Sequence, residues 1–184
     1  MKYCLECGTA LVMKENDGEG QIPYCKTCEM FRFPIFSTAI STAVLNRDMN
    51  KVLLIQQYNR PDYILLAGYV NKGEDAETTL IREVKEEVGL DIVAYEYMRS
   101  LYFAPSNTLM LNFIGVADSE DLSQVSAEVD HAEWFTLEEA TEAIKKNSLA
   151  ETFLLAIIEK LNAGRVQVNP VAEGKQCSIK RKEQ

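Results

Sequence analysis

The chain holds a single histidine, His131, and that scarcity excludes zinc catalysis through a set of imidazole ligands. Its polar neighbours mark His131 as a surface residue. There is no uninterrupted run of about 20 apolar residues, as a membrane-spanning helix requires. The apolar stretch 33–45 is shorter and is broken by Ser37, Thr38, Ser41 and Thr42. The start, Met1-Lys2-Tyr3-Cys4, runs straight into a cysteine motif without the apolar core of a signal peptide. A cytoplasmic protein with no membrane partner is expected. Basic excess is also lacking: the formal net charge is −9, which argues against a broad surface for phosphate backbones. No internal repeat and no helix-turn-helix pattern is visible.

What is present is ordinary globular material. With 184 residues, 47% hydrophobic and 26% charged, the chain suits one core-bearing domain and a small appendage.

The appendage is the cysteine-bearing segment 1–33. Cys4 and Cys7 form one C-x-x-C pair, Cys25 and Cys28 a second, with 17 residues between them. Two thiolates three residues apart can face one ion, and two such knuckles complete a tetrahedron around Zn²⁺. Gly8 follows the first pair, where a tight knuckle favours a residue that tolerates positive φ. Disulfides are the competing reading, disfavoured in a reducing compartment. Four thiolates leave no coordination position open, so the zinc is expected to be structural. The segment carries four basic and five acidic residues and no basic stripe, which points to folding or oligomerisation rather than nucleic-acid binding. Cys177 lies apart in a polar stretch and reads as a free thiol.

Beyond residue 33 the pattern becomes strand-like. Residues 35–45 are rich in β-branched side chains; Asn46, Asp48 and Asn50 mark a reversal; residues 51–58 form a second run. Further strands are expected at 63–66, 92–101 and 109–117, with a short one at 133–135. Residues 75–88 are amphipathic and stop at Gly89. Thr136 with Glu139, and Ser148 with Glu151, fit capping boxes opening helices that reach about Lys146 and Asn162, the second followed by Gly164. The last helix carries Phe153, Leu154, Ile157, Ile158 and Leu161 at core spacing. Strands interleaved with helices imply an α/β sandwich over 34–165. Residues 166–184 read as a polar, flexible tail.

The chemistry concentrates in Gly68-Tyr69-Val70-Asn71-Lys72-Gly73-Glu74 and, seven residues later, Arg82-Glu83-Val84-Lys85-Glu86-Glu87-Val88-Gly89-Leu90. On a helix Glu83, Glu86 and Glu87 stand at i, i+3 and i+4, so their carboxylates share one side. Uncompensated, each like-charge pair costs about 0.2–0.5 kcal/mol; divalent cations with a taste for hard oxygen ligands, Mg²⁺ or Mn²⁺, reverse that cost. Leu80, Val84 and Val88 fall on the opposite, core-facing side. Gly68 and Gly73 bracket a loop where backbone must approach closely. Glu74 and Arg82 are suited to clamp that loop to the helix. An ordinary solvated acidic helix is the alternative, and the two flanking glycines at fixed spacing weigh against it.

This segment resembles the Nudix box at all nine of its specified positions. The resemblance implies the Nudix fold, a mixed β-sheet sandwiched between helices and here preceded by a small zinc ribbon. It also implies metal-dependent attack of water on a diphosphate carried by a nucleoside. On that resemblance Glu83, Glu86 and Glu87 hold Mg²⁺ or Mn²⁺, Glu86 or Glu87 takes the proton, and Arg82 orients Glu83. A ribbon before such a domain is similar to the NADH pyrophosphatase branch. Leu65-Leu66-Ala67-Gly68-Tyr69 and Glu128-Val129-Asp130-His131-Ala132-Glu133-Trp134-Phe135 resemble that branch's flanking segments. By that match Glu128 is a further metal ligand, Tyr69 stacks on a base, and Ala150 lines the same pocket through its backbone. Trp134 is read as core. The stretch Ser100-Leu101-Tyr102-Phe103-Ala104-Pro105-Ser106-Asn107-Thr108 departs from that branch's signature, Ser-Gln-Pro-Trp-Pro-Phe-Pro-x-Ser, keeping the first Ser and a conservative Thr108. NADH, NAD⁺, ADP-ribose, FAD and a capped RNA 5′ end are therefore all open as substrates. The branch implies a homodimer. A nucleotide-sensing regulator is the reading from another class, and the complete carboxylate set speaks against it.

Overall fold

A computed structural model describes residues 1–172; Cys177 and the basic end of the chain lie outside these. The chain divides into two units, Met1–Phe36 and Ser37 onward, a boundary three residues beyond the one expected at 33/34.

In the first unit, β1 (Val12–Asn16), β2 (Gly20–Cys25) and β3 (Met30–Phe31) form a three-stranded antiparallel sheet. Gly18 and Gly20 take positive φ in the β1–β2 turn. Gly8 closes the first cysteine knuckle at φ 72°, while the second knuckle is closed by Glu29 in the same left-handed region.

The second unit is built on a mixed sheet. Its strands are β4 (Ser37–Leu45), β5 (Lys51–Gln56), β6 (Leu66–Tyr69), β7 (Ile92–Phe103), β8 (Thr108–Ala117), β9 (His131–Thr136) and β10 (Asn169–Pro170). They run in the order β10-β7-β8-β4-β5-β9, with β6 also on β4; β4 and β8 are parallel and the other pairings antiparallel. β4 is buried on both faces from Ile40 to Leu45, Ser41 and Thr42 included, as befits a central strand covered on both sides. Ile40 and Val44 pack into the core with Leu80, Ile81, Val84 and Val88 of α1 (Ala76–Val88). Ala43 and Leu45 face the other way, onto α2 (Leu137–Ala143) and α3 (Leu149–Asn162). The sheet is thus sandwiched between helices, the Nudix fold expected. Full burial of Phe153 stabilises the α3 side by about 1.5–3 kcal/mol.

Both N-caps stand where the sequence placed them, but the second capping box is only half formed, the Glu151 side chain accepting from Asn147 N instead of Ser148 N. Thr136 and Glu139 form a reciprocal capping box, and Ser148 accepts from the Glu151 backbone. Three boundaries differ by more than two residues. The strand expected at 63–66 lies at Leu66–Tyr69, because Ile64 bonds to Ile55 of β5 before the chain crosses to β4. α2 ends at Ala143 rather than near Lys146, since Ile144 and Lys145 turn out to pair with Tyr63. The tail expected from residue 166 begins in contact with the sheet: Val166 and Val168 pack on the α3-side core, Val171 on the α1-side core, and β10 pairs with β7. Among the described residues no helix is long and apolar enough to cross a membrane.

Candidate active site

α1 is fixed at both ends. The Asp75 side chain accepts from Thr78 N at its start, and Gly89, at φ 77°, donates to the Lys85 carbonyl at its end. The helix presents Glu83, Glu86 and Glu87 toward β6 and the segment after β5, in three different environments. The Glu86 side chain is exposed, that of Glu83 mostly covered, and Glu87 is buried, only 6% exposed.

Arg82 organises the box. Its Nε and Nη2 grip both oxygens of Glu74 (2.7 and 3.0 Å), Nη1 donates to Glu83 (2.8 Å) and Glu86 (2.9 Å), and Nη2 reaches the Tyr69 carbonyl (3.2 Å). These five bonds match the five N–H donors of a guanidinium, so Arg82 has none left for substrate. Glu74 completes the loop: its Oε2 accepts from Asn71 N and from Thr79 Oγ1. The Arg82 guanidinium holds the Glu74 carboxyl down at about 2. Arg82 and Glu74 therefore act on the site by positioning others.

Gly68 shows why the box opens on glycine. A Cβ there would stand 2.0 Å from Glu83 Cδ, so a side chain at Gly68 and this Glu83 rotamer are mutually exclusive. Gly73, at φ 88°, turns the loop. Burial pushes Glu83 upward from the ordinary carboxylate range. Burial likewise pushes Glu87 up to about 7. Glu87 Oε1 accepts from Gln57 Nε2 at 2.8 Å, while its buried Oε2 has no hydrogen-bond partner among the described residues. A buried, unpaired carboxylate oxygen beside further carboxylates fits a divalent cation, whose hard charge that donor set suits.

Two cavities share Gln57 and Tyr58, and one of them reaches α1 at Glu87. One, of about 310 Å³, is lined by Gln57, Tyr58, Asn59, Glu87, Glu128 and Asp130. Glu128 lines this cavity together with Glu87. The other, of about 280 Å³, lies on the far side of Gln57 and Tyr58 and is more apolar, with Ile64, Tyr69, Thr108 and Met110 in its walls. Tyr69 is exposed there, on the strand that carries Gly68. Ser106 and Thr108, from the stretch that departs from the NADH pyrophosphatase signature, line this cavity too. Ala150 lines neither: it packs in the first turn of α3 against the core. His131 is exposed at the start of β9, 3.5 Å from Glu133. Trp134 packs on the α1-side core and donates to the Glu120 carbonyl.

Gln57, Tyr58 and Asp130 carry no motif that marks them as site residues. Only their shared place in the wall of one cavity, after β5 and before β9, marks them; the one signal in the sequence is Asn59, a residue tolerant of left-handed backbone just after the strand.

In the first unit, Cys4, Cys7, Cys25 and Cys28 place their Sγ atoms within 4.8 Å of one another, with Cys4–Cys28 at 3.9 Å and Cys7–Cys25 at 3.4 Å. These distances exceed a disulfide's roughly 2.05 Å and suit the edges of a thiolate tetrahedron. Bonding to Thr9 pulls Cys7 down to about 6, while Cys28, hydrogen-bonded to Cys7, is pushed up to about 12. Packed so closely, the thiols cannot all ionise without a cation.

Residues 37–156 match the model of the NUDIX domain. The chain is 28% identical over 137 residues to the NAD-capped RNA hydrolase NudC of Pseudomonas aeruginosa, covering 74% of this chain and 48% of that one. It is 27% identical over 156 residues to the protein of the same name from Vibrio parahaemolyticus, covering 84% and 58%. The chain thus spans about half the length of these curated relatives. Among solved structures, a NUDIX hydrolase from Nitrosomonas europaea superposes with a TM-score of 0.67 at 19% identity, covering 90% of this chain and 94% of that one. The NUDIX domain of Shewanella oneidensis NrtR, solved with ADP ribose, does so at 0.57 and 18%, covering 78% and 94%. At those identities the two structures share the fold with this chain.

Proposed function

The chain belongs to the NUDIX family, and from that membership and the carboxylates of α1 we propose that it hydrolyses the diphosphate linkage of a nucleotide derivative with Mg²⁺ or Mn²⁺. The carrying observation is the buried Glu87, whose Oε2 has no hydrogen-bond partner among the described residues, with Glu83, Glu86 and Glu128 near it and with Arg82 spending its donors on Glu74, Glu83, Glu86 and the Tyr69 carbonyl. A divalent cation held there supplies charge neutralisation of the diphosphate and a more acidic bound water. The chain's own residues do the rest. Arg82 and Glu74 fix the carboxylates before substrate arrives. Gln57 holds one oxygen of Glu87 and leaves the other for the site. Glu86 or Glu87 takes the proton as the water oxygen bonds to phosphorus and the bridging P–O bond breaks, releasing two phosphorylated fragments.

The substrate we favour is NADH or NAD⁺, cleaved to AMP and nicotinamide mononucleotide. The NudC relatives and the thiol cluster ahead of the domain support it. ADP-ribose or another nucleoside-diphosphate sugar is the second reading, because Ser106 stands where the branch signature has a proline, in the wall of the apolar cavity. A capped RNA 5′ end carries the same diphosphate. Tyr69 is the proposed stacking residue for the base.

The experiment is incubation with Mg²⁺ or Mn²⁺ and a panel of NADH, NAD⁺, ADP-ribose, FAD and nucleoside triphosphates, with products separated chromatographically. Turnover of a panel member is expected, with kcat falling about 10²–10⁴-fold in Glu86→Gln or Glu87→Gln. Tight binding of a panel member without turnover would instead favour a nucleotide sensor.

The cysteine cluster is proposed to hold one structural zinc; elemental analysis finding none in fresh protein would refute that. We also propose a cytoplasmic homodimer, supported by the exposed Tyr97, Leu101, Tyr102 and Phe103 along β7. Sedimentation as a monomer at micromolar concentration would overturn the dimer.

A further inference from the structure

β5 ends at Gln56, and the chain then makes an unusual bend. Tyr58 (φ 61°) and Asn59 (φ 53°) are consecutive left-handed residues. Asparagine tolerates that region, but for a bulky side chain it is a costly outlier. The cost is not offset by packing, since Tyr58 is 78% exposed. Something else imposes the bend. Asp130 Oδ2 accepts from Asn59 N at 2.6 Å, and Asp130 is itself anchored: its N–H donates to the Gln56 carbonyl, beside the buried Val129. Asp130 thus latches the segment from the far side of the β5–β9 pairing. Strain kept in place by a dedicated partner, at an exposed aromatic beside an active site, points to a contact made with ligand.

The position says which contact. Tyr58 and Gln57 line both cavities: the acidic one holding Glu87, Glu128 and Asp130, and the apolar one holding Tyr69 and Met110. A nucleotide with its diphosphate over the carboxylates and its base in the apolar cavity must pass the Tyr58 ring. We propose that Tyr58 is a specificity-determining contact to the base of the bound nucleotide, and that Asp130 is the positioning residue that holds it there. This rests on the reading of the site as one for nucleotide diphosphates.

The test uses the full chain with Mg²⁺, with NADH and ADP-ribose as substrates and inorganic pyrophosphate, which has no base, as competitive inhibitor. Tyr58→Ala is expected to raise KM about 5- to 100-fold, the loss typical of one base–aromatic contact. Its kcat should stay within about twofold, as for removal of uniform binding. Pyrophosphate should inhibit it as it does the wild type. Tyr58→Phe keeps the ring and Asp130→Asn keeps an acceptor for Asn59, so both should stay near wild type. Asp130→Ala should reproduce the KM rise of Tyr58→Ala, and the double variant should be no worse than either. Tyr58→Gly separates function from fold: glycine relieves the backbone, so the melting temperature should rise by about 2–4 °C while KM rises.

An unchanged KM for both substrates in Tyr58→Ala overturns the proposal. So does a parallel shift in KM and pyrophosphate inhibition, which would mean that Tyr58 merely supports the acidic cavity. If the wild type turns over neither substrate, calorimetric binding of both decides: unchanged affinity in Tyr58→Ala overturns this inference alone. No binding to the wild type removes the nucleotide-diphosphate reading and this inference with it.

Discussion

Glu83, Glu86 and Glu87 occupy little more than one turn of α1, yet burial gives each a different task. Glu86 reaches solvent and Arg82, Glu83 lies against Gly68, and Glu87 is closed off except toward Gln57 and the acidic cavity. The spacing in the sequence put all three on one side; it could not tell that Glu87 would be buried, because that depends on Gln57 and the loop before β9. The raised value of Glu87, about 7, has a direct consequence for stability. Unfolded, a glutamate titrates near 4.3. Between these values the folded chain holds a proton that the unfolded chain has released, so stability is greatest below the unfolded value and is lost as pH rises toward 7. Glu74 has the opposite sign: its contribution is present above the unfolded value and is lost as pH falls toward about 2. In the absence of divalent cations the melting temperature should therefore fall between pH 5 and pH 8. Glu87→Gln should flatten that fall, and Mn²⁺ should restore the wild type at pH 8. A wild-type melting temperature that rises steadily over this range, monitored by circular dichroism, would contradict the assignment.

At the scale of elements, the site is a meeting of one helix with one short strand. β6 is only four residues, Leu66–Tyr69, and its pairing with β4 (Ile40 opposite Gly68) sets Gly68 against Glu83. Gly68→Ala leaves every carboxylate in the sequence but drives Glu83 from its place. Glu83 can swing away at its flexible end, so the fold should survive with a stability loss of about 1–3 kcal/mol. Activity should fall to the level of Glu83→Gln. Full activity in folded Gly68→Ala would show that Glu83 need not lie against β6. Helix α1 was legible because Asp75, Gly89 and the apolar spacing agree, and each signal is local. β6 starts three residues beyond the strand expected at 63–66 because its register is fixed by β4, more than 20 residues earlier in the chain, while the apolar run 63–66 makes an equally good strand pattern. The same non-local cause hid the Asp130 latch: Asn59 and Asp130 meet only because Gln56 pairs opposite His131. Ala150, expected from a resemblance to line the pocket through its backbone, packs its side chain on the core.

For the whole molecule, the sequence separated two units by composition: a cysteine-paired segment with few strand signals, then a run of β-branched strands. The structure moves the boundary to Phe36/Ser37, where β4 begins to pair with β8. It also uses residues 166–171 to close the sheet edge, a role that the alternating Val166 and Val168 announce but that a short polar stretch conceals. The acidic balance of −9 includes the cluster on α1 and around Glu128, so like charge is gathered where a cation would relieve it. That gathering is the central claim, and it is tested most directly by titrating Mn²⁺ into the zinc-loaded protein and following the free ion by electron paramagnetic resonance. Wild-type protein should bind Mn²⁺ at a site whose affinity falls at least about tenfold, the usual scale for a weakened metal site, when Glu83, Glu86 and Glu87 are replaced together by glutamine. Equal binding by the two proteins would contradict a cation site on this helix.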